Sequence, residues 1–402
     1  MDSRFSSICV IGLGYIGLPT ASMLGTKGYD VTGVDVSPKV VETINRGEIH
    51  IVEPDLDLLV KSAVNAGKLK ASLEPVKADV YIIAVPTPFK GDHVPDLSYV
   101  EQASRAIAPY IEPGNLVILE STSPVGSTEG SVAAILAETG LNVGEDVFVA
   151  HCPERVLPGR ILIELIQNDR IVGGINKKST RAAADFYKEF VSGAVLETDA
   201  KTAELSKLTE NSFRDVNIAF ANELSMICDR EQIDVWELIS LANRHPRVDI
   251  LQPGPGVGGH CIAVDPWFIV NRTPDESKLI KQARLINDAK PDWVINKIIE
   301  KASKFKHPTI SILGLAFKAN VDDLRESPAV EITNKLLALD LGEVLVCEPN
   351  INEHKNFKLS SFDESVEQAD ILVVLVDHNE FKALSAAKLS EKIIIDTRGI
   401  IK

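Results

Sequence analysis

A glycine motif near the start of the chain sets the tightest limit on its fold. The stretch "SSICVIGLGYIGLPTASMLGTKGYDVTGVDVS" runs from an apolar strand pattern through Gly12-x-Gly14-x-x-Gly17 into a helix pattern, then into a second apolar run. Glycines at this spacing allow a tight turn and a close approach of the backbone to a pyrophosphate at a helix N-terminus. The second run ends in Asp35, where an acid can accept hydrogen bonds from ribose hydroxyls and repel a 2′-phosphate. The order predicts a Rossmann domain that binds NAD.

Three further strand-like runs extend this predicted sheet. "DVYIIAVPTP", "NLVILESTSP" and "VFVAHCPE" each end in small polar residues and prolines, and Thr87, Thr122 and Glu154 lie in those ends. Doubly wound sheets bind ligands at the carboxyl ends of their strands. The predicted cofactor contacts are Gly12, Gly14, Tyr15, Ile16, Gly17, Asp35, Thr87 and Thr122.

Composition excludes several classes of function. The 402 residues are 45% hydrophobic and 25% charged, with a net charge of −15. This charge argues against general nucleic-acid binding, so an anionic ligand must be met by a local group of arginines and lysines. No apolar run reaches the roughly 18 to 20 residues that span a bilayer, and the chain starts almost directly with a strand pattern. We therefore expect a cytoplasmic protein with no membrane partner.

The cysteines are five in number and widely scattered, without a CxxC pair. This pattern predicts neither a disulfide framework nor a thiolate zinc site, and we expect no metal. The pairs His151-Cys152 and His260-Cys261 leave zinc as a minor alternative. Cys9, Cys228 and Cys347 lie in apolar runs, which favours packing roles, whereas the role of Cys152 stays open because it neighbours Glu154.

A long helix is predicted after about residue 195. "DAKTAELSKLTENSFRDVNIAFANELSMICDREQI" has neither proline nor glycine and carries apolar residues at helical spacing. Lys207, Asn211 and Arg214 stand at i, i+4 and i+7, which places them on one face. This face is either a solvated polar stripe or the wall of a cleft.

The remaining chain carries a cysteine loop and a second α/β unit. In "GPGVGGHCIAVDP", Cys261 follows a run of glycines and precedes Asp265 by four residues, so the backbone can come close to a ligand. The stretch "TISILGLAFKANVDDLRESPAVEITNKLLAL" and the strands after it predict a degenerate nucleotide-binding domain. Its cations Lys318 and Arg325 suit an anionic nucleotide.

The strings "ESTSPVG", "CPERVLPG", "KLTENSFRDVNIAFANEL", "GPGVGGHCIAVDP" and "GLAFKANVDDLRESPA" occur in that order along the chain. Over essentially its whole length the chain resembles the UDP-glucose/GDP-mannose dehydrogenase family. The resemblance implies an α/β fold with three domains: an N-terminal Rossmann NAD-binding domain at 1–195, a central long-helix domain at 196–304 that forms a homodimer or higher homo-oligomer, and a C-terminal Rossmann-like UDP-binding domain at 305–402.

The resemblance also implies a chemistry in which a sugar C6 alcohol becomes a carboxylate in two hydride transfers. Cys261 matches the family's nucleophile, which holds the intermediate as a thiohemiacetal and then a thioester. Lys207 and Asn211 match the pair that stabilises the oxyanion, and Asp265 matches the aspartate that orients the lysine or a water. Glu154 and Thr122 match the residues that activate and position the hydrolytic water.

The implied substrate contacts are Arg155, Val156, Lys207, Asn211, Arg214, His245, Arg247, Gly258, Phe317, Lys318 and Arg325. The strings "NRGEIHIVEPDLD", "VPTPFKGDH" and "NRHPRVDILQPGPGVGGHCIAVDPWF" favour UDP-N-acetyl-D-mannosamine, with UDP-N-acetylglucosamine and UDP-glucose as alternatives, and use in surface polysaccharide synthesis. Many UDP-glucose dehydrogenases carry a second glutamate four residues after the one that Glu154 matches, and this chain has Pro158 at that position. His260 could be structural or functional. A two-electron β-hydroxyacid dehydrogenase and a non-catalytic NAD-binding protein are the other hypotheses.

Overall fold

The structure, a computed structural model, describes residues 5–157, 159–259, 261–384, 389 and 391–401. Pro158 and His260, which the sequence analysis singles out, lie outside the described residues. The chain divides into two compact units, residues 1–209 and 210–402, and each is described by itself.

The first unit is built on a large sheet. Its strands are β1 Ser7–Ile11, β2 Asp30–Val34, β3 Leu69–Ser72, β4 Val80–Ile83, β5 Phe89–Lys90, β6 Val94–Pro95, β7 Leu116–Leu119, β8 Phe148–His151, β9 Arg170–Gly174 and β10 Val195–Asp199. Eight of these form one sheet in the order β10-β9-β8-β7-β4-β1-β2-β3, and β5 pairs with β6 separately. Neighbouring strands of the large sheet are parallel, apart from the antiparallel pair β8 and β9.

Helices cover both faces of this sheet. They are α1 Gly17–Thr26, α2 Pro38–Asn45, α3 Leu56–Asn65, α4 Ser98–Ile107, α5 Ala134–Ala137, α6 Ile161–Gln167 and α7 Lys177–Lys188, with a 3-10 turn at Ala108–Tyr110 and a π-helical segment at Thr128–Ala133. Strands β4 and β7 are buried at every position, as expected for a sheet that is covered on two sides. Val10 and Ile82 belong to one buried cluster, and Cys9 and Ile83 to the other. The predicted doubly wound sheet is confirmed.

Helix α8 runs without a break over Ala200–Glu231, a length of 32 residues. The sequence prediction of a long helix here is confirmed. Its N-terminus is capped by Asp199, whose carboxylate accepts hydrogen bonds from the backbone and side chain of Thr202 at 2.9 and 2.7 Å.

The second unit contains a smaller sheet. Its elements are α9 Val235–Ala242, α10 Asp265–Arg272, α11 Lys278–Ala302, β11 Thr309–Leu313, α12 Pro328–Leu339, β12 Glu343–Cys347, α13 Phe362–Gln368, β13 Ile371–Val374 and β14 Ile393–Asp396, with a 3-10 turn at Asn379–Ala383. The strands are parallel in the order β12-β11-β13-β14. Val294 of α11 and Ile332 of α12 belong to the same buried cluster as Ile312 of β11. The predicted second α/β unit is confirmed.

Among the described residues, no helix has the length and apolarity to cross a membrane.

Candidate active site

The turn between β1 and α1 has the geometry of a dinucleotide cradle. Gly12 has a φ of +93°, and a Cβ there would lie 2.5 Å from the carbonyl oxygen of Ala84, so only glycine fits. At Gly14 a Cβ would meet nothing within 4 Å, which leaves this side of the backbone open to a ligand. Helix α1 begins at Gly17, so the positive end of its dipole lies at this turn, where it favours a phosphate. Tyr15 is exposed, whereas Ile16 is half-buried.

Asp35 follows β2 and lies beside this cradle. Its Oδ2 accepts a hydrogen bond from the backbone N–H of Leu13 at 3.1 Å, and its Oδ1 accepts one from Ser37 at 2.9 Å. The carboxylate is therefore tied to the glycine turn and half-buried. This geometry fits the diphosphate and the ribose of NAD.

The loops that follow the carboxyl ends of β4 and β7 lie beside each other at one edge of the same sheet. The hydroxyl of Thr87 donates to the carbonyl of Thr122 at 2.6 Å, and that of Ser121 donates to the carbonyl of Val85 at 2.7 Å. Further along this loop, Glu204 of α8 accepts hydrogen bonds from the N–H groups of Gly126 and Thr128 at 2.5 and 2.7 Å. Glu204 thus links the loop that contains Thr122 to the first turns of α8, which also carry Lys207.

Glu154 is buried just after β8 and is ion-paired. Its Oε2 lies 2.5 Å from Nη1 of Arg170, and its Oε1 accepts a hydrogen bond from the N–H of Arg155 at 2.7 Å. The loop that follows is held by Glu53, whose two oxygens accept from Gly159 and Ile161, both at 2.8 Å. Arg155 donates to the carbonyl of Asp169 and is half-buried, as is Val156.

Three groups around Glu154 were missed by sequence reasoning: Arg170, Tyr187 and Glu120. The hydroxyl of Tyr187 donates to Oε1 of Glu120 at 2.7 Å, and the centre of its ring lies 5.4 Å from the guanidinium carbon of Arg170. Burial, followed by the charge of Glu154, raises the pKa of Glu120 to about 7. The position of Glu120 at the end of β7 was the one available sequence signal.

The pair His151 and Cys152 does not form a metal site with its surroundings. Burial lowers the pKa of His151 to about 3 and raises that of Cys152 to about 12. Within the described part of the chain, no group of three or more His, Cys, Asp and Glu residues is arranged to hold a metal ion.

In the second unit, Asn211, Asp265 and Cys261 come together. The side-chain amide of Asn211 on α8 donates to Oδ2 of Asp265 at 2.5 Å, and both side chains are buried. The N–H of Asp265, the first residue of α10, donates to the carbonyl of Cys261 at 2.8 Å. Cys261 is partly exposed, whereas the four other cysteines are buried. Lys207 lies one turn before Asn211 on the same helix and is half-buried.

The glycines before Cys261 pack against protein, which differs from the sequence interpretation that they face a ligand. A Cβ on Gly258 would lie 2.5 Å from the carbonyl oxygen of Glu326, and one on Gly259 would lie 3.0 Å from the ring of Phe317. The N–H of Gly259 also donates to the carbonyl of Arg325 at 3.2 Å. The glycines therefore let the cysteine loop lie directly on the 317–326 loop.

A small cavity lies beside these two loops. Phe317, Lys318, Pro255, Asp377 and Arg398 are among its lining residues. Arg398 was missed by sequence reasoning, although "KIIIDTRG" places it just after β14, at a strand end where such sheets bind ligands. Its guanidinium pairs with Asp377 at 2.8 and 2.9 Å.

The other predicted cations lie at the surface. Arg325 makes a bidentate pair with Asp323, at 2.6 Å for the shortest contact. Nδ1 of His245 accepts a hydrogen bond from the N–H of Arg247 at 3.3 Å, and both residues are exposed, as is Arg214.

Glu348 occupies in the second unit the place that Asp35 has in the first. It follows β12 as Asp35 follows β2, and its Oε2 accepts hydrogen bonds from the N–H groups of Leu315 and Ala316 at 2.7 and 3.0 Å. Here, however, His378 lies 3.0 Å from the same oxygen and also accepts a hydrogen bond from the N–H of Asn320 at 2.9 Å. Although burial raises it, the hydrogen bond to His378 and those from the backbone lower the pKa of Glu348 to about 2. In the second unit, a side chain of the protein thus contacts the acid that follows the second strand.

The fold and these groups define an NAD-dependent dehydrogenase with a second, nucleotide-binding domain. The chain belongs to the UDP-glucose/GDP-mannose dehydrogenase family: it matches the family's NAD binding domain over residues 6–191, its central domain over 201–289 and its UDP binding domain over 311–402. The resemblance stated from the sequence is confirmed, as are the three-domain α/β fold and NAD as cofactor.

Individual relatives cover the whole chain. It is 55% identical over 411 residues to an NDP-N-acetyl-D-galactosaminuronic acid dehydrogenase of Ralstonia nicotianae, covering 100% of this chain and 97% of the relative. It is 54% identical to a UDP-N-acetyl-D-mannosamine dehydrogenase of Escherichia coli, covering 98% and 99%. The structure of a UDP-N-acetyl-mannosamine dehydrogenase from S. aureus matches with a TM-score of 0.91 at 42% identity, covering 99% and 96%.

Proposed function

We propose that the protein oxidises UDP-N-acetyl-D-mannosamine at C6 to UDP-N-acetyl-D-mannosaminuronate. The observation that carries the proposal is the grouping of Cys261, Asn211 and Asp265 in a chain with both an NAD-binding and a UDP-binding domain. A two-electron dehydrogenase needs neither the cysteine nor the second nucleotide-binding domain. The relatives named as UDP-N-acetyl-D-mannosamine dehydrogenases support the choice of sugar.

Cys261 acts as the nucleophile in this proposal. Bound NAD supplies an acceptor for one hydride in each of two oxidation steps. After the first step, the thiolate of Cys261 attacks the C6 aldehyde, so that the aldehyde is retained as a thiohemiacetal. Loss of the second hydride from the same carbon leaves a thioester. Water then adds to the acyl carbon, the C–S bond breaks, and the thiolate is restored.

The other site residues act on charges and protons. Lys207 and Asn211 stabilise the oxyanion that forms at C6, and Lys207 also moves the proton. Asp265 orients the amide of Asn211, which is consistent with their 2.5 Å hydrogen bond. Glu154 takes a proton from the hydrolytic water, which Thr122 positions.

The substrate contacts remain those predicted from the resemblance, with one addition. The diphosphate, the uridine and the sugar are bound by a set of residues from several loops: Arg155, Val156, Arg214, His245, Arg247, Gly258, Phe317, Lys318 and Arg325. We add Arg398, because its guanidinium lines the same cavity as Phe317 and Lys318. The packing of Gly258 against Glu326 favours an indirect role for that residue, through the shape of the loop.

We further propose the domain division 1–195, 196–304 and 305–402, and a homodimer. The family matches support three domains with nearby limits. A stripe on α8 supports self-association: Phe213, Phe220 and Ile227 recur every seven residues and are 67%, 54% and 49% exposed. We place the protein in the cytoplasm, where NAD and nucleotide sugars are available, and its product in surface polysaccharide synthesis.

The stoichiometry of the reaction tests the mechanism. We expect two NADH per sugar consumed, and we expect Cys261→Ala to abolish acid formation while NAD binding persists. Cys228→Ala, which removes a buried thiol from the same unit, serves as the matched control and should retain the two-to-one ratio. Acid formation by Cys261→Ala at the wild-type rate would rule out the covalent mechanism.

A comparison of substrates tests the sugar. We would measure kcat/KM for UDP-N-acetyl-D-mannosamine, UDP-N-acetylglucosamine, UDP-N-acetylgalactosamine and UDP-glucose. The galacto sugar is included because a relative with 55% identity is named an NDP-N-acetyl-D-galactosaminuronic acid dehydrogenase. A pocket that hydrogen-bonds an acetamido group leaves polar groups unpaired when a hydroxyl replaces it. A tenfold preference for another sugar, about 1.4 kcal/mol, would overturn the assignment.

A further inference from the structure

Arg170 is a buried cation whose guanidinium is fixed on several sides. It is the first residue of β9, and its side chain is 3% exposed. Nη1 lies 2.5 Å from Oε2 of Glu154, Nη2 donates to the carbonyl of Leu165 at 3.0 Å, and the guanidinium lies over the ring of Tyr187. A planar donor that is held in this way fixes both the position and the orientation of the carboxylate with which it pairs.

Glu154 keeps the capacity to bind a further proton donor. Each carboxylate oxygen has two lone-pair directions, and the structure gives one contact to each oxygen, from Arg170 and from the N–H of Arg155. Its side chain is 7% exposed, so Glu154 is not fully enclosed in the unit. A water that reaches the remaining lone pairs would meet a carboxylate that its two hydrogen bonds hold in place.

The other titratable groups near Arg170 are buried in surroundings that favour their neutral forms. Glu120 accepts a hydrogen bond from the hydroxyl of Tyr187, its other oxygen is buried without a hydrogen-bond partner, and burial raises its pKa to about 7. Burial also favours the neutral forms of Cys152, Tyr187 and His151. Among the acidic groups of this cluster, Glu154 is therefore the one that pairs directly with the charge of Arg170.

Building on the proposed function, we propose that Arg170 is a positioning residue that acts through Glu154 in hydrolysis of the Cys261 thioester. It holds the carboxylate where it accepts a proton from water. In that step the water oxygen bonds to the acyl carbon, the C–S bond breaks with its electron pair going to sulfur, and one water proton passes to Glu154. The oxidation steps that precede it do not require Glu154 as a base.

Rapid quenching followed by intact-protein mass spectrometry tests this role. Wild-type protein, Glu154→Gln and Arg170→Gln are mixed with NAD and UDP-N-acetyl-D-mannosamine, and the sugar acyl group on Cys261 is measured over time. We expect both variants to form the adduct at near wild-type rate and to hydrolyse it roughly tenfold or more slowly. Arg105→Gln removes an arginine from the exposed pair with Glu138 and should hydrolyse the adduct normally.

A double variant distinguishes positioning from general damage. If Arg170 acts through Glu154, then Arg170→Gln in the Glu154→Gln background slows hydrolysis no further, whereas independent effects would multiply. This variant also carries no unpaired buried charge. Arg170→Lys keeps the charge but replaces the two planar nitrogens that contact Glu154 and Leu165 with a single ammonium nitrogen, so its adduct should be hydrolysed at an intermediate rate.

The outcomes separate this inference from the function on which it rests. If Glu154→Gln accumulates the adduct but Arg170→Gln and Arg170→Lys hydrolyse it normally, the role of Arg170 is wrong and the covalent mechanism stands. A multiplicative loss in the double variant also overturns the role. If Glu154→Gln forms acid normally without any adduct, the proposed route through a thioester fails. NAD binding and melting temperature, measured for each variant, report on folding.

Discussion

Glu120 and Glu154 follow neighbouring strands of one sheet, yet their hydrogen-bond partners differ. Glu154 is paired with Arg170, whereas Glu120 has a tyrosine hydroxyl on one oxygen and no hydrogen-bond partner on the other. A buried carboxyl group without a cation of its own is more stable as the neutral acid. The cost of ionising Glu120 should therefore appear as a pH dependence of stability.

We predict that Glu120→Gln stabilises the protein at alkaline pH. The pKa of Glu120 rises from its ordinary value of 4.5 to about 7 on folding, so the folded state binds more protons between these values and stability falls as pH rises through this window. Replacing the acid by a neutral amide should remove a penalty on the order of 3 kcal/mol at pH values well above 7.

Urea denaturation at roughly pH 5 and 8.5 would measure the change, with the difference concentrated at the higher pH. Glu138→Gln, which changes an exposed acid of the same unit, is the control. An equal effect of Glu120→Gln at both pH values would contradict the assigned pKa.

Asp35 lies beside the glycine turn, and we propose that it determines which dinucleotide the first unit accepts. Because its carboxylate is tied to Leu13 and Ser37, it cannot easily turn away from an added 2′-phosphate. We predict a preference for NAD over NADP that Asp35→Asn reduces by about tenfold or more, measured as a ratio of kcat/KM values. Equal use of both cofactors by the wild-type protein would show that Asp35 does not face the ribose.

At the scale of elements, α8 connects several parts of the site by buried hydrogen bonds. Asn222 accepts from the N–H of Gly254 at 2.8 Å, at the start of the cysteine loop, and donates to Asn287 on α11 at 2.9 Å. Asn287 in turn donates to Asp215, which pairs with Arg284. All of these side chains are buried, so the network fixes the loop relative to α8 and α11.

We predict that Asn222→Ala loosens the cysteine loop. Loss of the side chain leaves the N–H of Gly254 and the amide of Asn287 without their partner, at a cost of about 1 to 3 kcal/mol each. The expected results are a lower free energy of unfolding, a lower kcat, and faster alkylation of Cys261 by iodoacetamide. Asn352→Ala, at an exposed position, is the matched control, and unchanged alkylation would show that Asn222 does not hold the loop.

Lys207→Ala and Asn211→Ala should reduce kcat far more than substrate affinity. Their proposed contacts strengthen as the oxyanion forms, and loss of one such donor costs roughly 10² to 10³ in rate. Steady-state kinetics together with direct binding of the nucleotide sugar separates the two effects. A loss in binding alone would assign both side chains to substrate recognition.

At the scale of the whole molecule, regular elements were predictable and contacts between distant segments were not. The glycine turn, the buried strands and α8 each have a local signature, and the structure confirms them. The bond from Asn211 to Asp265 joins residues 54 positions apart, and Arg170 reaches Glu154 only because β9 returns beside β8. Periodicity contains no information on such pairs. For the same reason, the packing of Gly258 against Glu326 was not expected.

The proposed homodimer can be tested through α8. Phe220 lies in the middle of the exposed stripe, so Phe220→Glu would place a charge in an apolar contact between two copies. We predict that this variant sediments as a monomer, or dissociates at concentrations where the wild-type protein is dimeric. Leu58→Glu, at an exposed apolar position on α3, is the control. A monomeric wild-type protein, or an unaffected dimer in Phe220→Glu, would contradict an interface at this stripe.

NAD and the nucleotide sugar both contain a nucleotide and a diphosphate. The contact between His378 and Glu348 bears on which of them the second unit accepts. Asp35 accepts hydrogen bonds from the backbone of Leu13 and Ser37 in the first unit, whereas the corresponding Glu348 also contacts the side chain of His378. A dinucleotide therefore lacks its usual anchor at the second sheet. We accordingly expect that a large excess of NAD does not compete with the nucleotide sugar, so that each can be raised to saturation without inhibiting the use of the other.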